Sequence, residues 1–163
     1  ETIVNLLFAI GVAAGSLLAA QLSHGRIRLT FAPYMLVVLG VIAIDLGLFT
    51  HAMPEAQHEI GIFEFLARPA GLRIAAEILI YSCAAGLFVV PIFAAVQSWS
   101  SVDHRARVIG ANNTLNSVAM VVGTLAASIL LKTTGMDEST ALAIVGVLNL
   151  LVAAYVWRRL PRG

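Results

Sequence analysis

The chain has 163 residues, of which 60% are hydrophobic and 12% charged, with a net charge of +1. Soluble domains carry about a quarter charged residues, so this balance excludes a soluble enzyme, a disordered tail and a nucleic-acid binder. The single cysteine, Cys83, lies within an apolar run and excludes a disulfide framework.

Residues 2–25, 78–102, 108–131 and 139–157 hold no Asp, Glu, Lys or Arg, and residues 29–54 hold only Asp45. A bilayer core needs about 20 apolar residues of helix. The sequence therefore predicts an all-α, multi-pass membrane bundle with five spans, at about 2–22, 29–50, 73–98, 107–131 and 139–158. The runs are apolar all round, which excludes the alternating strands of a membrane β-barrel. Residue 1 is Glu and the chain stops soon after the fifth run, so both ends read as cuts within a longer protein.

The first span carries Gly11, Gly15 and Ala19 four residues apart. Small residues at that spacing let helices approach closely where lipid gives no hydrophobic drive. The turn after it, 23–28, holds Arg26 and Arg28. The second span holds Asp45 near its far end. Residues 51–72 follow, with Ile62, Phe63, Phe65 and Leu66 at helical spacing opposite Glu55, His58 and Glu59. That spacing fits a short helix lying in the outer interface, or a merely solvated loop.

In the third span Arg73 and Glu77 sit four apart on one face, at a depth similar to Asp45. Either they form an interfacial ion pair with snorkelling side chains, or they act as an outer gate or a proton-linked carboxylate. Gly86 and Pro91 lie further along. Pro91 lacks an N–H, so the Leu87 carbonyl loses its helical partner and a bend is expected there.

The third span ends near Gln97, and the turn that follows holds Arg105 and Arg107. The fourth span opens with Asn112, Asn113 and Asn116, and later repeats the small-residue pattern at Gly123 and Ala127. Four amides at one depth should face the bundle interior, either bonding neighbouring helices or lining a polar path. The tail after the fifth span holds Arg158, Arg159 and Arg162.

Assigning the first turn, the third turn and the tail to one side collects seven of the ten basic residues there. Lys and Arg mark the cytoplasmic side, so the first span starts outside and the C-terminus is cytoplasmic. Five spans require that parity. No nucleophile–base motif, phosphate loop or metal-ligand spacing occurs, so no catalytic residue, metal or cofactor is expected and the chain is not expected to be an enzyme.

The stretch Gly86-Leu-Phe-Val-Val-Pro-Ile-Phe-Ala-Ala-Val-Gln97, with His104-Arg-Ala-Arg-Val-Ile-Gly-Ala-Asn-Asn-Thr-Leu-Asn116, resembles the lysophospholipid transporter family of the major facilitator superfamily. So does Gly15-Ser-Leu-Leu-Ala-Ala-Gln-Leu-Ser-His-Gly-Arg26. The resemblance implies that the five spans are the last five of a twelve-helix facilitator. The N-terminal half would then be missing from this chain. A 2-acylglycerophosphoethanolamine acyltransferase, to which such transporters are often fused, would follow Gly163. It further implies transport of lysophospholipid across the bacterial inner membrane for re-acylation. The substrate path would then include Gln97, Asn112, Asn113 and Asn116.

The superfamily's basic loop, Gly-x-Leu-x-x-Asp-Arg-x-Gly-Arg, is reduced here to Gly25-Arg26 with Arg28, and it has no acid. A gating salt bridge built on that Asp is thereby unsupported. Three other readings stay open: a facilitator of another small solute, a non-transporting anchor for a fused acyltransferase, and a small complete membrane protein that oligomerises through Gly11 and Gly15.

Overall fold

In the computed structural model the described residues are 2–23, 31–53 and 61–159. They form helices α1 (Thr2–Ser23), α2 (Ala32–His51), α3 (Ile62–Ala67), α4 (Pro69–Ser98), α5 (Arg105–Thr134) and α6 (Glu138–Arg159). A single 3-10 turn, Val102–His104, joins α4 to α5. All but α3 are long and apolar enough to cross a membrane. The chain is thus all-helical, as a multi-pass helical membrane protein requires.

The expected spans lie within these helices to within a few residues, apart from the start of the third. That helix begins at Pro69, four residues before the predicted 73. Local chemistry explains the difference. Arg68 precedes a proline, so it is driven to extended backbone (φ −87°, ψ 134°) and caps the helix, while Pro69 takes the first helical position, where its missing N–H costs nothing. The fourth helix overruns its predicted end and stops at Thr134. Gly135 follows in the left-handed conformation at φ 66° and donates its N–H to the Leu131 carbonyl. The expected short helix after the second span is present as α3. Glu55, His58 and Glu59, which were to form its polar face, lie outside the described residues, as do Arg26, Arg28 and Arg162.

Two helix pairs, linked by an α2–α4 contact, hold most of the structure together. The first pair is α1 on α4, running parallel. A Cβ on Gly11 would overlap the Ser82 hydroxyl, one on Gly15 would overlap the Cys83 carbonyl, and one on Gly86 would come within 2.6 Å of the Val12 carbonyl. Glycines from both helices, Gly11 and Gly15 on α1 and Gly86 on α4, thus lie at the α1–α4 contact. The second pair is α2 on α6, antiparallel. Here Gly40 and Gly146 face each other, Gly47 faces Ser139 and Ala143, and the Tyr34 and Trp157 rings meet edge-on at 4.7 Å.

Among the described residues, seven of the ten buried hydrophobic ones are alanines, including Ala19, Ala43, Ala84 and Ala153. Contact is thus made backbone to backbone, while Leu6, Leu17, Leu48, Leu72 and their like point outward. That is the arrangement expected where the surroundings are as apolar as leucine.

One packing expectation fails. The repeat at Gly123 and Ala127 was to sit inside the bundle, yet α5 has no buried residue and nothing lies within 4 Å of a Cβ at Gly123. The cause is that α5, after the turn at Val102–His104, packs against no helix to the extent that α1 packs on α4 or α2 on α6. Pro91 is buried within α4, which continues across it to Ser98.

Candidate functional site

Three charged residues predicted at one depth are brought together. Arg73, one and a half turns into α4, spreads its guanidinium between two acids. Its Nε donates to Glu77 Oε1 at 2.7 Å and its Nη2 to Asp45 Oδ2 at 2.8 Å, across the α2–α4 contact. The Phe49 ring, one turn after Asp45 on α2, lies under the guanidinium with its centroid 4.0 Å from Cζ. Such stacking suits the planar, weakly hydrated guanidinium.

The two acids differ in surroundings. The Asp45 side chain is 53% exposed, whereas the Glu77 residue is only 9% exposed. Glu77 Oε2 is buried and has no hydrogen-bond partner among the described residues. A surface pair contributes little to stability. A buried carboxylate is different, because it depends on its partner to offset lost hydration.

Just beyond this triad the ends of α2 and α6 are tied together. Thr50 and Ser139 hydroxyls lie 3.1 Å apart, and His51 Nδ1 lies 3.1 Å from Asp137 Oδ2. Asp137 also caps α6, accepting the Thr140 hydroxyl at 2.6 Å and the Thr140 N–H at 3.1 Å. These donors, the Thr140 hydroxyl first and His51 second, hold the Asp137 carboxyl well below the usual carboxylate range.

The amide cluster is not assembled in the same way. Gln97 at the end of α4 and Asn112 on α5 are half-buried, while Asn113 and Asn116 are exposed. Among the described residues no hydrogen bond joins these four side chains to one another or to a neighbouring helix. The expectation that all of them face the bundle interior is not met by Asn113 and Asn116, because α5 stands clear of the bundle there. Arg105 and Arg107 are exposed at the start of α5, as are Arg158 and Arg159 at the end of α6.

Between α1, α2 and α4 lies an apolar cavity of about 430 Å³, lined by Gly11 and Ala14, Met35 and Val38, and Cys83 and Leu87 among others. Its size falls within the ordinary range for small-ligand sites.

No family model, curated protein or solved structure matches the chain.

Sequence reasoning missed several of these contacts. Phe49 under Arg73, the Thr50–Ser139 and His51–Asp137 links, and the Gly40, Gly47 and Gly146 packing all depend on how two helices are rotated against each other. One signal was available: Gly40, Ala43 and Gly47 recur at a helical spacing of three and four, marking a small-residue face on α2.

Proposed function

We propose that the chain is part of a membrane transporter of the major facilitator superfamily that moves lysophospholipid across the bacterial inner membrane toward the cytoplasm, where it is re-acylated. In this reading the chain supplies most of the C-terminal half of a twelve-helix bundle, and two halves rock about a central site. It catalyses no reaction itself; a fused acyltransferase would do so. Arg105, Arg107, Arg158 and Arg159 lie on the cytoplasmic side.

The observation that carries the reading is the open, mainly apolar groove between α1, α2 and α4, set in a bundle of five spans. A single-chain lipid needs an apolar slot for its acyl chain, and the groove lined by Met35 and Val38 of α2 and Leu79, Ile80 and Leu87 of α4 would supply one. The resemblance of residues 86–116 to the lysophospholipid transporters points the same way. In this reading Gln97 and Asn112, half-buried near the α4–α5 turn, would bond a phosphate and a glycerol hydroxyl, and the exposed Asn113 and Asn116 would extend the polar strip along α5.

The test is uptake and re-acylation of labelled lysophosphatidylethanolamine by cells with and without the gene. Uptake should depend on the gene and fall at least tenfold in the Gln97→Ala/Asn112→Ala double variant, with protein levels in the membrane unchanged. Gene-independent uptake, with the protein present, would replace this reading by an acyltransferase anchor or a facilitator of another solute.

A further inference from the structure

The two ends of the bundle treat their arginines differently. At the triad end both described arginines are paired, Arg68 with Glu64 and Arg73 with Asp45 and Glu77. At the other end Arg105, Arg107, Arg158 and Arg159 are exposed, and none makes an ion pair among the described residues. The described acid nearest to them in sequence is Asp103. The stretches that continue from α1 and α6, 24–30 and 160–163, add Arg26, Arg28 and Arg162 and no acid. Sidedness of insertion accounts for positive charge here, but lysine would serve it equally. The chain's one lysine, Lys132, lies instead at the far end of α5. Arginine differs in its planar fork, which grips a phosphate through two N–H groups at once.

Aromatic rings collect at the same end. Four of the five tyrosines and tryptophans are there: Tyr34 near the start of α2, Trp99 just past α4, and Tyr155 and Trp157 in the last turns of α6. Such rings settle at the level of lipid head groups. Arg159 lies over the Tyr155 ring, with Cζ 5.5 Å from the centroid, so the ring holds its charge at that level. Trp157 meets Tyr34 edge-on and fixes the end of α6 against α2. Leu148, Leu151, Val152 and Tyr155 are exposed and recur at helical spacing, so one apolar face of α6 leads up to Arg159.

We propose that the end of α6, with Arg158 and Arg159 beside Tyr155 and Trp157, binds an anionic phospholipid of the bilayer. The phosphate sits in the guanidinium fork, and an acyl chain runs along the Leu148–Leu151–Val152 face. Arg105, Arg107 and Trp99 add to the same basic end. A lipid fits better than free phosphate, because its phosphate is already concentrated at the depth where Tyr155 holds Arg159. An anionic lipid fits better than a zwitterionic one, whose own cation would meet unpaired arginines. This lipid belongs to the bilayer and is not cargo, so the site stands or falls separately from the lysophospholipid reading.

The test is tryptophan fluorescence of the full-length protein in phosphatidylcholine vesicles. Either phosphatidylglycerol or phosphatidylcholine, at equal mole fraction, carries bromine on its acyl chains close to the head group. Brominated phosphatidylglycerol should quench more strongly, and the excess should disappear in Trp157→Phe, which assigns it to this end. The relative affinity for phosphatidylglycerol should fall roughly fivefold for each charge removed in Arg158→Gln and in Arg158→Gln/Arg159→Gln. Arg158→Lys/Arg159→Lys keeps the charge that orients the span and should still lose much of the preference. Equal quenching by the two lipids in wild type would overturn the site and leave the arginines to an acidic protein surface. Loss of the excess on adding inorganic phosphate at constant ionic strength would overturn it in favour of a free anion. Full preference in the lysine pair would reduce the site to general attraction by a basic face. The comparison of two lipids on wild type needs no variant, so a poorly inserted variant does not block the answer.

Discussion

Gly15 and Gly123 both sit in apolar helices, yet a methyl group should have opposite effects at the two positions. At Gly15 a Cβ would overlap the Cys83 carbonyl, a backbone atom that cannot swing aside. Gly15→Ala should push α1 off α4 and destabilise the bundle by about 1–3 kcal/mol. At Gly123 the space is open. Gly123→Ala should be neutral, or stabilising by up to about 1 kcal/mol through helix propensity. Thermal unfolding of both variants in one detergent checks the pair, and equal losses would refute the α1–α4 interlock. Asp137 offers a second residue-level test. Its carboxyl is held well below the usual range, chiefly by the Thr140 hydroxyl. A depressed acid stabilises the fold above its unfolded value of about 4 and loses that contribution as pH falls toward the folded value. Melting temperature should therefore fall on acidification below about pH 4. Thr140→Val should flatten that fall more than His51→Ala does, and an NMR titration of the Asp137 carboxyl should show the same order. The Arg73–Glu77 pair was legible from its spacing of four, and Asp45 from its depth. The His51–Asp137 link was not legible, because sequence tells which residues share a helix face but not which neighbour that face meets.

At the scale of elements the five spans were legible because hydropathy over about 20 residues leaves little room for anything else. The ends were set by chemistry finer than hydropathy, as the extra turn of α4 from Pro69 shows. Helix α5 was the least legible. It is the least apolar of the five spans, yet still apolar enough to cross a membrane, and it ends up with no buried residue while α2 buries seven. Sequence reports that a helix is apolar, not whether lipid or protein covers it. The proposed path makes a prediction here. If Asn116 faces water in the working transporter, Asn116→Cys should react with a membrane-impermeant thiol reagent, and lysophospholipid should protect it. Met120→Cys, one turn further on and also exposed, should show no substrate protection. Labelling of both positions without protection would mean that α5 lines no substrate path. Cys83 must first be replaced by Ala, since it lines the apolar cavity.

For the whole molecule, helix directions follow from contacts alone. Parallel α1 and α4, with α2 antiparallel to α6, place the Asp45–Arg73–Glu77 triad and the His51–Asp137 link at one end of the bundle. The α4–α5 turn and the end of α6 lie at the other, where Arg105, Arg107, Arg158 and Arg159 are all exposed. Among the described residues the first end carries both signs of charge, including Glu64 and Arg68, which pair with each other. The second carries four arginines against Asp103. Charge of that kind is retained on the cytoplasmic side during insertion. The predicted orientation has a direct check in a Cys83→Ala background. Ser100→Cys, in the α4–α5 turn, should be labelled by an impermeant maleimide only after the cells are opened. Met53→Cys, just past α2, should be labelled in intact cells. The reverse pattern would put the triad on the cytoplasmic side and overturn the orientation that the arginines predict.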